Sequence, residues 1–426
     1  MALVIKTDTR EFSPVYNNME VCVLQDDPAT RALPDYKYIF DVRIVDYISM
    51  LSLSVRFKVS PNPRFEYAIQ LISPAIEVFI KETFVPFDDT SSFRLTDNAI
   101  INYRVEYGEE YRLTADDPIV EYPNILQGDF KWAWGGSLET HRFIDFYNTS
   151  EYENYLIESS AIPNRQFLTN NKTPKVKIGD LGWTWLMTSS PNDVDYLEVK
   201  TYDSVGVLIT TFKINNVTDK GVDRSHLMSL STSPQSLNNI TPGSFLIGAQ
   251  PVITSSVKTY TIEVFMDPST SISETLTFTI QDDCFYETYR LHFENEYGGF
   301  DAFNFNLRNR DSADGTKKFY KNNAPNLNAD GIVYQNQYET KVNYHSKFTN
   351  KASLISEYLT EAENDWLKEL AFSPQVYLEF TNSSGVRDFK PCLIRGAKWE
   401  ENKTTIDKLF DFKVEIELAD NYRQRR

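Results

Sequence analysis

The residues that most often do chemistry in enzymes are sparse in this sequence and are not spaced as a site. The chain has 4 histidines, and none of them lies in an HExxH, HxH or comparable metal-ligand spacing. His292 alternates with Leu291 and Phe293 as a strand residue does. We therefore expect it to have a backbone or carboxylate partner rather than a catalytic role. The other three are His141, His226 and His345.

Carboxylates are plentiful, and several are adjacent in the sequence. The pairs are Glu109/Glu110, Asp116/Asp117 and Asp282/Asp283. A glycosidase needs only two carboxylates at a suitable separation, so a hydrolase such as a depolymerase is one hypothesis. Because the chain contains 60 Asp and Glu residues, an adjacent pair carries little information. We expect these pairs to lie on solvated faces.

Local motifs of serine hydrolases, of nucleotide-binding proteins and of metal sites are missing from the sequence. GxSxG, GxxxxGK[ST] and a GxGxxG after a strand do not occur, and the three cysteines, Cys22, Cys284 and Cys392, are far apart. Residues 326–331, NLNADG, imitate the start of a calcium loop, but the twelfth position is Gln337, which supplies no bidentate carboxylate. We expect a polar turn there, with calcium as the alternative. The sequence predicts no enzyme, no cofactor and no metal site.

The charge balance argues against nucleic acid as a partner. The formal net charge is -17, and the basic cluster that stands out is formed by Arg423, Arg425 and Arg426. A surface this acidic repels phosphate backbones. The N-terminal residues are interrupted early by charges, and no later stretch approaches the ~18 apolar residues that a membrane span needs. We expect neither export nor membrane insertion, and synthesis in a reducing cytoplasm.

The elements that carry these residues are predicted to be strands. Aromatic residues make up 14% of the chain, and polar and apolar residues alternate at residues 36–45, 52–59 and 101–107. Residues 195–212 show two alternating runs around a turn at 203–206, which is typical of a hairpin. The fold class is therefore mainly β, with several domains built from antiparallel β-sandwich modules.

Four domains are predicted from the order of these patterns. They are a β domain at 1–95, an irregular aromatic-rich β domain at 96–190, an immunoglobulin- or fibronectin-like β-sandwich at 191–285, and a C-terminal β domain at 286–426. In the last, Thr360 and Glu363 predict a capping box, and Trp366 and Leu370 predict the apolar stripe of a short helix packed on a sheet. Strands are predicted at 375–380 and 410–418, with alternate residues from Phe410 onward on one face.

The stretch RLHFENEYGGFDAFNF, residues 290–305, raises the question of a site most directly. Residues 290–294 predict a strand, and Gly298 and Gly299 predict a tight turn whose glycines permit positive φ. Phe300 is expected to return toward the core. Asp301 has no nearby base in the sequence, so we expect it to cap the turn. The stretch is predicted to be architecture.

Four segments resemble virion structural proteins of tailed phages that infect Bacteroidota, including flavobacterial and crAss-like groups. They are the GGFD phrase after a strand, YKYIFDVRI with VRFKVSPNP within 36–63, EYGEEY at 106–111, and DWLKELAFSPQVYL at 365–378. The resemblance implies a non-enzymatic tail or baseplate protein. It implies a symmetric ring of copies of this chain, assembled with other virion proteins in the virion. It supplies no catalytic residue, and the residues of interest are structural: Gly298, Gly299, Phe300, Trp366 and Leu370.

A carbohydrate-binding adhesin that recognises host surface glycans is the alternative function. Trp132 and Trp134 are two residues apart, as are Trp183 and Trp185. Residues with this spacing share one side of a strand, where their rings could stack on sugars. A buried seam of large aromatics is the competing interpretation of the same pattern.

Overall fold

The computed structural model describes residues 3–46, 51–80, 90–96, 99–149, 151–158, 163–218, 225–266, 270–282, 286–307, 309–321, 326–329, 331–333, 341–398 and 411–419. Strands account for 51% of the chain and helices for 13%, so the mainly β class predicted from the sequence is confirmed. Several predictions concern Cys284, Asp283, Gln337, Phe410 and the terminal arginines, which lie outside the described residues.

Within the described residues the strands are β1 (Leu3–Thr7), β2 (Phe12–Pro14), β3 (Glu20–Gln25), β4 (Lys37–Asp46), β5 (Leu51–Val59), β6 (Ala68–Leu71), β7 (Phe93–Leu95), β8 (Ile100–Tyr111), β9 (Val120–Gln127), β10 (Lys131–Trp134), β11 (Leu156–Ile157), β12 (Lys175–Val176), β13 (Trp183–Thr188), β14 (Tyr196–Tyr202), β15 (Leu208–Asn215), β16 (His226–Ser231), β17 (Phe245–Ile247), β18 (Thr259–Met266), β19 (Thr270–Ser271), β20 (Leu276–Ile280), β21 (Tyr289–Glu294), β22 (Phe300–Phe305), β23 (Arg310–Lys321), β24 (Asn326–Asn328), β25 (Gly331–Val333), β26 (Lys341–Ile355), β27 (Val376–Thr381), β28 (Arg387–Lys398) and β29 (Lys413–Leu418). The α-helices are α1 (Pro28–Arg31), α2 (Ser73–Ile76), α3 (Thr140–Thr149), α4 (Pro234–Asn239) and α5 (Glu361–Phe372).

The chain forms two compact units. The first contains residues 1–282 and 294–301, and the second contains 283–293 and 302–426. Strands from the first three predicted domains share sheets in the first unit, since β7 pairs with β16 and β12 pairs with β20. The predicted segments are thus joined across their boundaries.

The first half of the first unit is built on a six-stranded sheet. The strand order of this sheet is β2-β10-β8-β4-β5, and β9 pairs with β8. A second, three-stranded sheet has the order β1-β3-β6. The predicted pairing of residues 36–45 with 52–59 is confirmed, because β4 and β5 are antiparallel neighbours. Val21 and Val23 of the smaller sheet share a core with Phe40, Val42 and Tyr103 of the larger one.

The second half of the first unit is a β-sandwich. A seven-stranded sheet has the order β12-β20-β18-β14-β15-β17, with β19 paired to β18, and a four-stranded sheet has the order β11-β13-β16-β7. Val199 and Ile262 from the first sheet share one core with Leu186 and Met228 from the second. The predicted hairpin at 195–212 lies here as β14 and β15, with Gly206 at φ +80° in its turn.

The second unit is a seven-stranded sheet with the order β22-β21-β27-β28-β29-β26-β23. Leu291, Leu354 and Ile416 of the sheet share a core with Trp366 and Leu370 of α5. The predicted capping box is present: the Thr360 side chain accepts from the Glu363 backbone N–H, and the Glu363 side chain accepts from the Thr360 N–H. The helix begins where this box satisfies its otherwise unpaired N–H groups.

Candidate functional site

The side chain of Asn295 holds the glycine turn of residues 294–301, a role that the sequence suggested for Asp301. The Asn295 Oδ1 accepts hydrogen bonds from the backbone N–H groups of Tyr297 at 3.1 Å and Gly299 at 3.0 Å. An amide two residues before the turn reaches these donors, as is typical of Asx turns. Asp301 lies beyond the turn in β22 and accepts from the Thr169 hydroxyl at 2.9 Å.

Both glycines of this turn lie close to other residues of the first unit, Gly298 to backbone and Gly299 to a side chain. Gly298 has φ +75°, and a Cβ there would lie 2.2 Å from the carbonyl oxygen of Gly135. A Cβ on Gly299 would lie 2.6 Å from the Trp185 ring. Phe300, which follows, is buried. No side chain other than hydrogen fits at either glycine without a shift of its neighbours.

The tryptophans proposed for glycan stacking are largely buried. Trp134, Trp183 and Trp185 are less than a tenth exposed, and Trp132 is half-buried and stacks on Phe12 with ring centroids 6.4 Å apart. Because sugar stacking requires an open ring face, this arrangement corresponds to the buried interpretation of the pattern.

The prediction that Glu109 and Glu110 lie on a solvated face is wrong. Both are buried in β8, and they point to opposite faces of the sheet. Glu109 accepts from the Gln25 amide at 2.8 Å and the Tyr36 hydroxyl at 2.9 Å. Burial of the Tyr36 phenol is the larger cause that raises its pKa, and the negative charge of Glu109 is the next. The phenol therefore stays protonated and donates its hydrogen bond to Glu109.

Of the other adjacent carboxylates, Asp116 and Asp282 are exposed as predicted.

Glu110 belongs to a ladder of ion pairs on the outer face of the six-stranded sheet. Lys58 lies 2.6 Å from Glu110 and 2.5 Å from Glu121. Arg56 binds Asp41 through two nitrogens, at 2.7 and 2.8 Å. These cations come from β5 and the anions from β4, β8 and β9, so the ladder joins four strands. Buried carboxylates are stable only when they are paired with cations, and here the ion pairs also connect neighbouring strands.

A further buried carboxylate lies in the second unit. Glu379 of β27 is fully buried, and His292 Nε2 lies 2.9 Å from its Oε2. This is the carboxylate partner expected of His292. Arg290 and Arg387 lie 3.4 and 3.5 Å from the same carboxylate. Burial alone raises the pKa of Glu379, but the hydrogen bond from His292 and the two guanidinium charges outweigh it, so the pKa is lowered.

An open cleft of about 620 Å³ borders this cluster. Its lining includes Tyr289, Asp311, Lys351, Glu379 and Arg387. Tyr289 donates a hydrogen bond to Asp311 at 2.8 Å, and Arg387 lies 3.5 Å from Glu379. These four groups of the cleft lining are therefore paired with one another.

Throughout the described ranges, no group of three or more His, Cys, Asp or Glu residues is arranged to hold a metal ion. Among those same residues, no helix has the length and apolarity needed to cross a membrane.

The most exposed element of the second unit is a long two-stranded ribbon. β23 pairs with β26 from Arg310 to Lys321, whereas the next strand, β29, pairs with β26 only at residues 351–355. The ribbon therefore extends past the sheet. Every residue of β23 is exposed, and β23 is an edge strand. The sequence does not mark this strand, because neither of its faces is buried and no alternation of polar and apolar residues results.

The two faces of the ribbon differ in their aromatic residues. The Phe348 ring covers Gly315, so Phe348 lies on the face to which a side chain at position 315 would point. Every second residue of a strand shares a face, so the same face carries Lys317, Phe319 and Lys321. We call this the phenylalanine face. Tyr320 and Tyr344 lie on the opposite face with ring centroids 6.2 Å apart. We call this the tyrosine face; it also carries Lys318 and Lys347. All four rings are about half exposed.

Two of the three comparisons with known proteins, those with family models and with curated proteins, find no match. Among the solved structures that align with this chain is an alpha-2-macroglobulin mutant from Salmonella, which covers 93% of this chain and 28% of its own length, at 8% identity and a TM-score of 0.15. The alignment thus spans little more than a quarter of that protein, and a TM-score this low carries no argument.

Proposed function

We propose that this chain is a non-enzymatic structural component of a tailed-phage virion. It is a tail or baseplate ring subunit that is made in the host cytoplasm and assembles with copies of itself and with other virion proteins. The resemblance of its GGFD, GEEY and helix-to-strand segments to Bacteroidota phage proteins motivates the proposal. The observation that carries it is the exposed ribbon of β23 and β26.

The ribbon has the surface chemistry of an interface element. Phe319, Tyr320, Tyr344 and Phe348 are each about half exposed on a two-stranded extension. The edge of β23 also presents backbone N–H and C=O groups to pairing partners. Large exposed aromatics combined with an open strand edge are typical of segments that become covered on association. In an assembly of subunits, the neighbouring subunits cover these rings and this strand edge.

The buried charges support a structural role rather than a catalytic one. Glu110, Asp41 and Glu379 are each held by arginine or lysine partners, as described above. Such pairs join strands to one another. The glycan-binding alternative rested on four tryptophans, of which three are buried. No ring face of those three is open for a sugar to stack on.

Antibody labelling of virions tests the proposed function directly. Antibodies raised against the purified protein are expected to label phage particles at one fixed position along the tail. Pre-immune serum is the matched control for nonspecific labelling. Particles that carry no label, from a phage stock whose infected cells do contain the protein, would rule out a place in the virion.

A further inference from the structure

We infer that the phenylalanine face of the ribbon docks on the outer face of helix α5 in a second copy of this chain. The inference rests on the proposed function and adds the two surfaces that form the contact between neighbours. Both surfaces belong to the second unit, and both are open to solvent.

The outer half of the ribbon is basic, although the chain as a whole is acidic. Its paired segments, Gly315–Lys321 and Lys341–Phe348, contain no aspartate or glutamate. The net charge of the chain is -17. Lys317 and Lys321 lie on the phenylalanine face, and Lys341 pairs directly with Lys321. Like charges that face each other across a strand pair are destabilising. An acidic partner on this face removes that repulsion.

Helix α5 offers a surface of complementary charge. Glu361, Asp365 and Glu369 recur every four residues, so they form one stripe on the side away from the buried Trp366 and Leu370. Glu361 and Asp365 are exposed, and Glu369 is half-buried. Lys368 lies beside the stripe, which stays net negative.

Apolar groups complement one another as well. Phe372 at the end of α5 is 75% exposed, and Tyr358, just before the helix, is 69% exposed. These rings are as exposed as any in the second unit's described residues. Phe319 and Phe348 are the apolar groups of the phenylalanine face. Aromatic anchors flanked by opposite charges are the usual composition of a specific interface.

The lengths of the two surfaces also agree. The seven residues Gly315–Lys321 extend over about 23 Å at the rise of a strand. The 12 residues of α5 extend over about 18 Å. The ribbon and the helix are different surfaces of the same chain, so the contact between copies is head-to-tail. Such a contact generates a ring when its rotation closes.

Charge reversal tests the inference, with self-association measured by sedimentation velocity over a concentration series. K317E/K321E on the phenylalanine face and E361K/D365K/E369K on α5 are each expected to raise the dissociation constant roughly 100-fold or more, because each places like charges together. Combining both sets in one chain is expected to restore association. The charge-matched control is K318E/K347E on the tyrosine face, which should associate as the wild type does. Circular dichroism melting confirms that each variant is folded.

The outcomes separate the inference from the proposed function. If the wild type associates and K317E/K321E associates equally well, the ribbon docking is wrong and the proposed function stands. If the wild type stays monomeric, docking on a second copy is wrong, and antibody labelling of virions still decides the function. A gel shift with a 30-bp DNA duplex covers the other acidic partner. DNA binding that K317E/K321E abolishes would assign the ribbon to nucleic acid and overturn the inference.

Discussion

Replacement of Gly298 by alanine is the sharpest test of the claim that the GGFD stretch is architecture. Gly298 has φ +75°, where an alanine costs about 1–2 kcal/mol. Its Cβ would also lie 2.2 Å from the carbonyl oxygen of Gly135, a backbone atom that moves only if the local chain moves. Forcing that shift costs about 1–3 kcal/mol more. The total loss in the free energy of unfolding is therefore about 2–5 kcal/mol.

Two other glycines separate these contributions. Gly206 has φ +80° but nothing within 4 Å of its added Cβ, so G206A measures the conformational cost alone. Gly243 has an ordinary φ and equally open surroundings, so G243A should lose little stability. In thermal unfolding followed by tryptophan fluorescence, the melting temperature should be highest for G243A, lower for G206A and lowest for G298A. We expect G298A to melt roughly 3–10 °C below G206A. Equal melting temperatures for G206A and G298A would refute the close approach to Gly135.

Three further predictions concern the second unit. T360A should lower the free energy of unfolding by about 1 kcal/mol, because it removes the cap that pairs with Glu363; no loss in denaturant unfolding would contradict the capping box. L370A should cost about 2–5 kcal/mol as a buried cavity, while F372A on the same helix, at an exposed site, should change little; equal effects would contradict the assignment of the helix faces. Because the lowered pKa of Glu379 stabilises the fold above pH ~4.5 and that contribution disappears on acidification, E379Q should be less stable at pH 7 and should lose less stability between pH 6 and pH 3. Melting curves across that range check this, and an unchanged acid dependence in E379Q would contradict it.

Elements encoded by local signals were predictable from the sequence. The β4–β5 pair follows from strict alternation, and α5 follows from a capping box only four residues long. The strand after the helix was also predicted, because Ser373 and Pro374 end the helix and an alternating run follows. In each case the residues that decide the structure are neighbours in the chain.

Features decided by distant partners were not predictable. Glu109 and Glu110 were expected in solvent because their partners, Tyr36 and Lys58, lie far away in the sequence. The sandwich includes β7 and β11, which are too short to stand out from their surroundings. Asp301 was expected to cap the turn, but Asn295 is better placed because its amide oxygen reaches two N–H groups at once. The ribbon was missed because exposed strands lack the hydrophobic alternation that marks buried ones.

The central claim is that this chain is an assembling subunit, and its mass in solution tests that claim most directly. Multi-angle light scattering of the purified protein over a concentration series measures that mass against the 49.3 kDa of one chain. We predict a discrete multiple of this value, or a mass that rises with concentration. A constant mass of one chain at every concentration would contradict self-assembly.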